Sequence, residues 1–130
     1  MSTLLGFDFG ERRIGVATGQ TVTRTASALT TLHWGPEAPL PWDRLSALVA
    51  EWRPDGLVVG LPLHLDGAES DMAARVRRFA RQLKGRFGLP VYLVDERLSS
   101  WQAEAMGRRG EAVDAEAARI ILQDWLDRQT

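Results

Sequence analysis

Residues 4–19, LLGFDFGERRIGVATG, set the strongest constraint on how this chain folds. Two apolar runs of strand length, residues 3–9 and 13–18, are separated only by Gly10-Glu11-Arg12, which leaves room for a tight turn and nothing larger. A third run, Thr25 to Leu32, follows closely, so the first quarter of the chain predicts an antiparallel meander. The same stretch carries an anomaly. Asp8 interrupts Leu4-Leu5-Gly6-Phe7 and Phe9, and a lone Asp inside a central strand costs on the order of several kcal/mol unless it is paired or binds a cation. Two readings are open: a metal ligand fixed by a rigid strand, or a strand-end Asp bonding turn amides across Gly10.

Past residue 34 the pattern changes. Pro36, Pro39 and Pro41 make residues 35–41 a loop. Trp42, Leu45, Leu48, Val49 and Trp52 then recur at helical spacing until Pro54 ends the run. Gly56 to Gly60 reads as a buried strand followed by a loop at Pro62. Met72, Val76, Phe79, Ala80 and Leu83 form a second amphipathic stripe that ends near Gly85 or Gly88. Val91 to Val94 is another buried strand, and Ser99 with Gln102 predicts a capping box for a short helix. A last helix carries Ala117, Ala118, Ile121, Leu122 and Trp125. The predicted order β-β-β-α-β-α-β-α-α specifies an α/β domain over residues 1–130, with a mixed sheet and helices on both faces.

Composition narrows the chemistry. With no cysteine among 130 residues, disulfides, thiolate metal sites and a Cys nucleophile are excluded. No leader-like start and no apolar stretch near 18 residues are present, so a cytoplasmic protein with no membrane partner is expected. His33 and His64 are too few for a His-rich metal site, and a Ser-His-Asp triad built on His64 lacks a nucleophile-elbow motif. The formal net charge of −1 argues against nucleic-acid binding, but the distribution argues for it. Between Glu69 and Gly88 lie Arg75, Arg77, Arg78, Arg81, Lys84 and Arg86 against two acids. That cluster reads either as a solvated helix face or as a phosphate-contacting one.

Two further acidic positions stand out. Asp95-Glu96 closes the strand Val91–Val94, and alternation puts one carboxylate on each face, so at most one shares a site with Asp8. A strand end entering solvent, with Arg97 as ion-pair partner, is the competing reading. Counting forward from Asp114 by 3, 4, 7, 8 and 11 reaches the whole apolar stripe of the last helix, so Asp114 heads the face that meets the sheet. An N-cap is the alternative there, although Ala117 supplies no capping-box partner. One carboxylate from an early strand, one from a later strand and one from a terminal helix form an all-oxygen donor set suited to Mg2+ or Mn2+ rather than zinc.

These residues resemble a known family. Phe7-Asp8-Phe9-Gly10 with Arg12 and Ile14-Gly15-Val16-Ala17 is similar to the first motif of the YqgF family, and Gly60-Leu61-Pro62-Leu63 with Asp66-Gly67 to the second. Asp95-Glu96-Arg97-Leu98-Ser99 resembles the third, and Val113-Asp114 leading into Ala117-Ala118 and Ile120-Ile121-Leu122 the last. The resemblance implies a ribonuclease-H-like fold: a five-stranded mixed sheet of order 3-2-1-4-5, strand 1 central and strand 2 antiparallel. It implies a nuclease that matures the 5′ end of the small-subunit ribosomal RNA precursor, or a Holliday junction resolvase. It also places the acidic triad on Asp8, Glu96 and Asp114, with Glu96 preferred to Asp95 on the family pattern alone. Those three would hold Mg2+ or Mn2+, as two ions flanking a phosphodiester. Arg12, Arg97, Arg75, Arg78 and Arg81 would meet substrate phosphates, and the partner would be structured RNA, branched DNA or a pre-ribosomal particle, bound by a monomer or weak homodimer. Two positions depart from the pattern. Residues 106–112 replace a longer, lysine-bearing glycine loop, and Arg12 stands where lysine is common.

Three other functions compete. Sugar kinases and actin-like ATPases share a looser form of the first motif but need two such domains. A protein-kinase reading of Asp8-Phe9-Gly10 would need a nucleotide lobe before it. A binding module that keeps the fold and its RNA affinity without catalysis is opposed only by the retention of every acid.

Overall fold

The computed structural model describes residues 2–35, 39–63, 66, 71–97 and 111–129. Eight elements follow one another: β1 (Thr3–Phe9), β2 (Arg13–Gln20), β3 (Thr25–His33), α1 (Trp42–Trp52), β4 (Gly56–Leu63), α2 (Asp71–Phe87), β5 (Val91–Arg97) and α3 (Glu111–Arg128). The short helix expected from Ser99 and Gln102, the residues 106–110 loop, His64 and Gly67 lie outside the described residues.

The strands form one sheet of order β3-β2-β1-β4-β5, as expected. β1–β2 and β2–β3 are antiparallel, whereas β4 joins β1 and β5 joins β4 in parallel. The meander exists because the Gly10-to-Arg13 turn closes tightly: Gly10 N–H donates to Arg13 O at 2.8 Å. β1 sits at the centre because it is apolar on both faces.

Alternation along β1 assigns the two cores. Leu5, Phe7 and Phe9 join Ile14, Val16, Leu57 and Val59 under α1 and α2, where Leu45, Val76, Phe79 and Leu83 cover them. Phe79 is the hub, edge-on to Phe7 at 6.0 Å and tilted against Phe9 at 4.7 Å and Trp42 at 5.8 Å. Leu4, Ala17, Val58 and Val94 face the other way, against Ala118, Ile121, Leu122 and Leu126 of α3. Helices therefore cover both faces.

Three boundaries correct the sequence reading. β4 runs through Pro62 to Leu63. Proline is tolerated there because β1 pairs with β4 only as far as Phe7↔Val59, leaving residues 60–63 paired with β5 alone. β5 likewise continues past Val94, so Asp95 and Glu96 lie within the strand. α3 begins at Glu111, which makes Asp114 its fourth residue and not its N-cap.

Candidate active site

Asp8 shares the parity of Leu4, so its carboxylate lies on the α3 face near the carboxyl end of β1. Directly opposite in the ladder is Gly15. A Cβ built at Gly15 would overlap the backbone carbonyl of Asp114, so only glycine lets α3 rest on β2 at this level. That close approach delivers Asp114 to Asp8.

Register also separates Asp95 from Glu96. Val94 belongs to the α3-side core and Tyr92 stacks on Trp125 of α3 at 5.1 Å, which places Glu96 on the same side. Asp95 points to the opposite face and is exposed. On β4, between β1 and β5, Gly60 lies on this face, paired with Val94. A Cβ there would lie 3.3 Å from Glu96 Cγ and 2.5 Å from Ile121 Cδ1. Glycine at that point leaves the space that Glu96 and Ile121 occupy.

The electrostatics of this corner are strained. The Asp8 carboxyl is pushed up from 3.8 to about 7, first by burial and then by the negative charges of Asp114 and Glu96. Glu96 is raised from 4.5 to about 7, again mainly by burial; Asp124 of α3 adds to the rise and Arg128 opposes it. Arg128 also pairs with Asp124 at 2.9 Å. Asp114, with 19% of its side chain exposed, accepts a charge-assisted hydrogen bond from Arg13 Nη1 at 3.4 Å.

The chemistry of this donor set fits a hard divalent cation. Carboxylates that resist ionisation because they are withdrawn from water near other negative charges are groups a cation relieves. Among the described residues, no three His, Cys, Asp or Glu side chains already stand around a single point as a closed ligand cage. The carboxylates are gathered at one end of one face and remain apart.

The basic candidates fall in two places. Arg12 is exposed on the turn after Asp8, and the side chain of Arg97 lies outside the described residues. Arg75, Arg78 and Arg81 are exposed on α2, across the sheet from the carboxylates. Of these three, Arg75 contacts the turn after Asp8, at 3.5 Å from Glu11. Arg86 lies over the Trp42 ring at 4.1 Å.

Sequence reasoning passed over Arg13, Asp124 and Trp34. Arg13 stands one alternation step from Gly15 on the same face, a signal that was available. Asp124 follows Asp114 by ten residues, close to three helical turns. Trp34 donates its indole N–H to Gly10 O at 3.0 Å and tilts against Phe9 at 5.5 Å, buttressing the turn that carries Asp8.

Comparison with known proteins agrees with this architecture. The family model described as "RuvX: Holliday junction resolvase" matches residues 2–128. A Burkholderia lata protein named "Putative pre-16S rRNA nuclease" is 53% identical over 134 residues, covering 97% of this chain and 89% of the relative. A Burkholderia mallei protein of the same name is 55% identical over 130 residues, covering 97% and 88%. Among solved structures, Thermus thermophilus RuvC in complex with Holliday junction substrate superposes with a TM-score of 0.61 at 15% identity, covering 98% of this chain and 94% of that one. At that identity the likeness speaks to the fold, which is ribonuclease-H-like as expected. The motifs quoted for YqgF and the full-length model match converge on one conclusion: this chain belongs to the RuvX (YqgF) family.

Proposed function

We propose that this protein is a divalent-metal-dependent nuclease that hydrolyses phosphodiester bonds in 5′-end maturation of the small-subunit ribosomal RNA precursor. The names of relatives above 50% identity support the substrate. The observation that carries the chemistry is the half-buried Asp8 carboxyl, raised to about 7 on the same sheet face as Asp114 and Glu96. A cation bound there would offset both the burial of the Asp8 charge and the negative charges near it.

Asp8, Glu96 and Asp114 would hold Mg2+ or Mn2+. The chemistry supplied by two such ions would be the activation of a water and the stabilisation of the leaving oxygen of a phosphodiester. The chain's own residues do the rest. β1 fixes Asp8 rigidly, and the Gly10 turn braced by Trp34 keeps its register. Gly15 and Gly60 admit Asp114 and Glu96 to the same corner. Arg12 and Arg97, at the site end of β2 and β5, would hold the phosphates flanking the scissile one. Arg75, Arg78 and Arg81, across the sheet, would meet phosphates farther along a structured nucleic acid.

Holliday junction resolution is the second reading, favoured by the description of the matching family. A cleavage panel of precursor ribosomal RNA, other structured RNA and four-way DNA junctions, with Mg2+ and with a chelator, separates them. Metal-dependent cleavage confined to the RNA precursor is expected. Cleavage of junctions alone would establish resolution, and binding without cleavage of any substrate would make the protein a non-catalytic RNA-binding factor.

A further inference from the structure

The nuclease reading uses Asp114 but leaves its neighbour Arg13 without a task. Arg13 opens β2, two residues from Gly15 on the same face, and both touch Asp114: Gly15 lies under its backbone, and Arg13 bonds its carboxylate Oδ2 at 3.4 Å. The pair spans 101 residues of sequence, so it is a tertiary contact and not local helix chemistry. Arg13 is also well anchored. Its carbonyl accepts from Gly10 N–H at 2.8 Å, Arg12 O accepts from Trp34 N–H at 2.8 Å, and Gly10 O accepts from the Trp34 indole at 3.0 Å. Three hydrogen bonds thus fix the backbone from which the guanidinium reaches.

We infer that Arg13 is a positioning residue for metal binding: by holding Asp114 Oδ2 it fixes the orientation of a carboxylate that would bind the cation together with Asp8. This rests on the nuclease reading of the carboxylates and adds a residue that touches neither metal nor reacting atoms. The physics is that of outer-shell support. A ligating carboxylate held by a fixed hydrogen bond loses less rotamer freedom on binding, and removing such a partner commonly weakens metal affinity by roughly 10- to 100-fold. Arg13 lies at the mild end of that range, because its side chain is 42% exposed and its bond is long. Lysine keeps the charge without the planar fork and restores part of the effect.

The test compares Arg13→Gln, Arg13→Lys and Asp8→Asn in the full-length protein. Mn2+ affinity is measured from the free-ion paramagnetic resonance signal, alongside melting in chelator and the Mg2+ dependence and KM of cleavage. The inference predicts about a tenfold weaker Mn2+ affinity in R13Q, a matching rise in half-saturating Mg2+ and a smaller loss in R13K. The melting temperature of R13Q in chelator stays within about 2–3 °C of wild type, as expected for an exposed pair. Unchanged Mn2+ affinity with a clear drop in melting temperature would make Arg13 a structural ion pair and overturn the inference. Unchanged Mn2+ affinity with a raised KM would overturn it too, by making Arg13 a phosphate contact. The Asp8→Asn arm keeps the two levels apart. If D8N abolishes Mn2+ binding and R13Q does not change it, only the Arg13 inference fails; if D8N binds Mn2+ and cleaves like wild type, the carboxylate site itself is wrong.

Discussion

Replacing Asp8 by Asn should stabilise the metal-free protein at pH 8, by an amount that disappears on acidification. The Asp8 carboxyl titrates near 7 in the folded protein against 3.8 in an unpaired one. A raised carboxylate pKa means that the native state binds the proton more tightly than the unfolded chain. Stability from this group is therefore greatest at low pH and is lost as pH rises from about 4 to about 7. At roughly 1.4 kcal/mol per unit, about 3 units correspond to about 4 kcal/mol, of which about 3 kcal/mol falls between pH 5 and pH 8. Asn cannot ionise and lacks this slope, although its half-buried amide offsets part of the gain, by about 1–3 kcal/mol. Glu96, less buried than Asp8, adds a weaker slope that both proteins share. Urea and thermal unfolding of wild type and D8N at pH 5, 6, 7 and 8, in chelator, measure the difference. It should widen toward pH 8 by about 2–3 kcal/mol, or roughly 6–12 °C for a chain of this size. Parallel pH profiles, or a D8N protein less stable at every pH, would refute the reasoning and leave Asp8 as a turn-bonding residue whose loss costs about 0.5–2 kcal/mol regardless of metal.

Three other outcomes are expected. Mg2+ should raise the melting temperature of the wild type, since an ion bound to the native state alone stabilises it, and D8N should lose most of that increment; equal increments would show binding elsewhere. Arg78→Ala with Arg81→Ala should lower the slope of log affinity against log salt by about one to two units for a long structured RNA, and an unchanged slope would mark α2 as a solvated face. Phe79→Ala, at a ring 1% exposed against Phe7, Phe9 and Trp42, should cost about 3–5 kcal/mol of unfolding free energy; a loss below about 1 kcal/mol would contradict its place at the hub of the core.

Much of the architecture was legible because it rests on local pattern. The Gly10-Glu11-Arg12 turn, the apolar runs beside it and the stripes of α1 and α2 are short-range signals, and the structure keeps them. Where local pattern left a choice open or missed, the deciding fact was long-range. Alternation put Asp95 and Glu96 on opposite faces, but which one joins Asp8 depends on how β5 registers against β4 and what α3 covers. Pro62 read as a loop because proline lacks a donor, yet the end of the β1 ladder at Phe7↔Val59 leaves room for it in a strand. A cap was the alternative left open for Asp114 because the apolar stripe starts after it; the helix starts at Glu111, one turn earlier, which removes that alternative. Arg13 escaped notice because its partner lies 101 residues away.

The nuclease reading stands or falls on Asp8 as a residue that would bind the metal needed for cleavage. The most direct measurement is cleavage of precursor small-subunit ribosomal RNA by wild type and D8N, each with Mg2+ and with chelator, beside circular dichroism and melting that confirm both are folded. The account predicts cleavage by wild type with Mg2+ only, and none by a folded D8N under either condition. Cleavage by D8N at the wild-type rate, or by wild type in chelator, would contradict it.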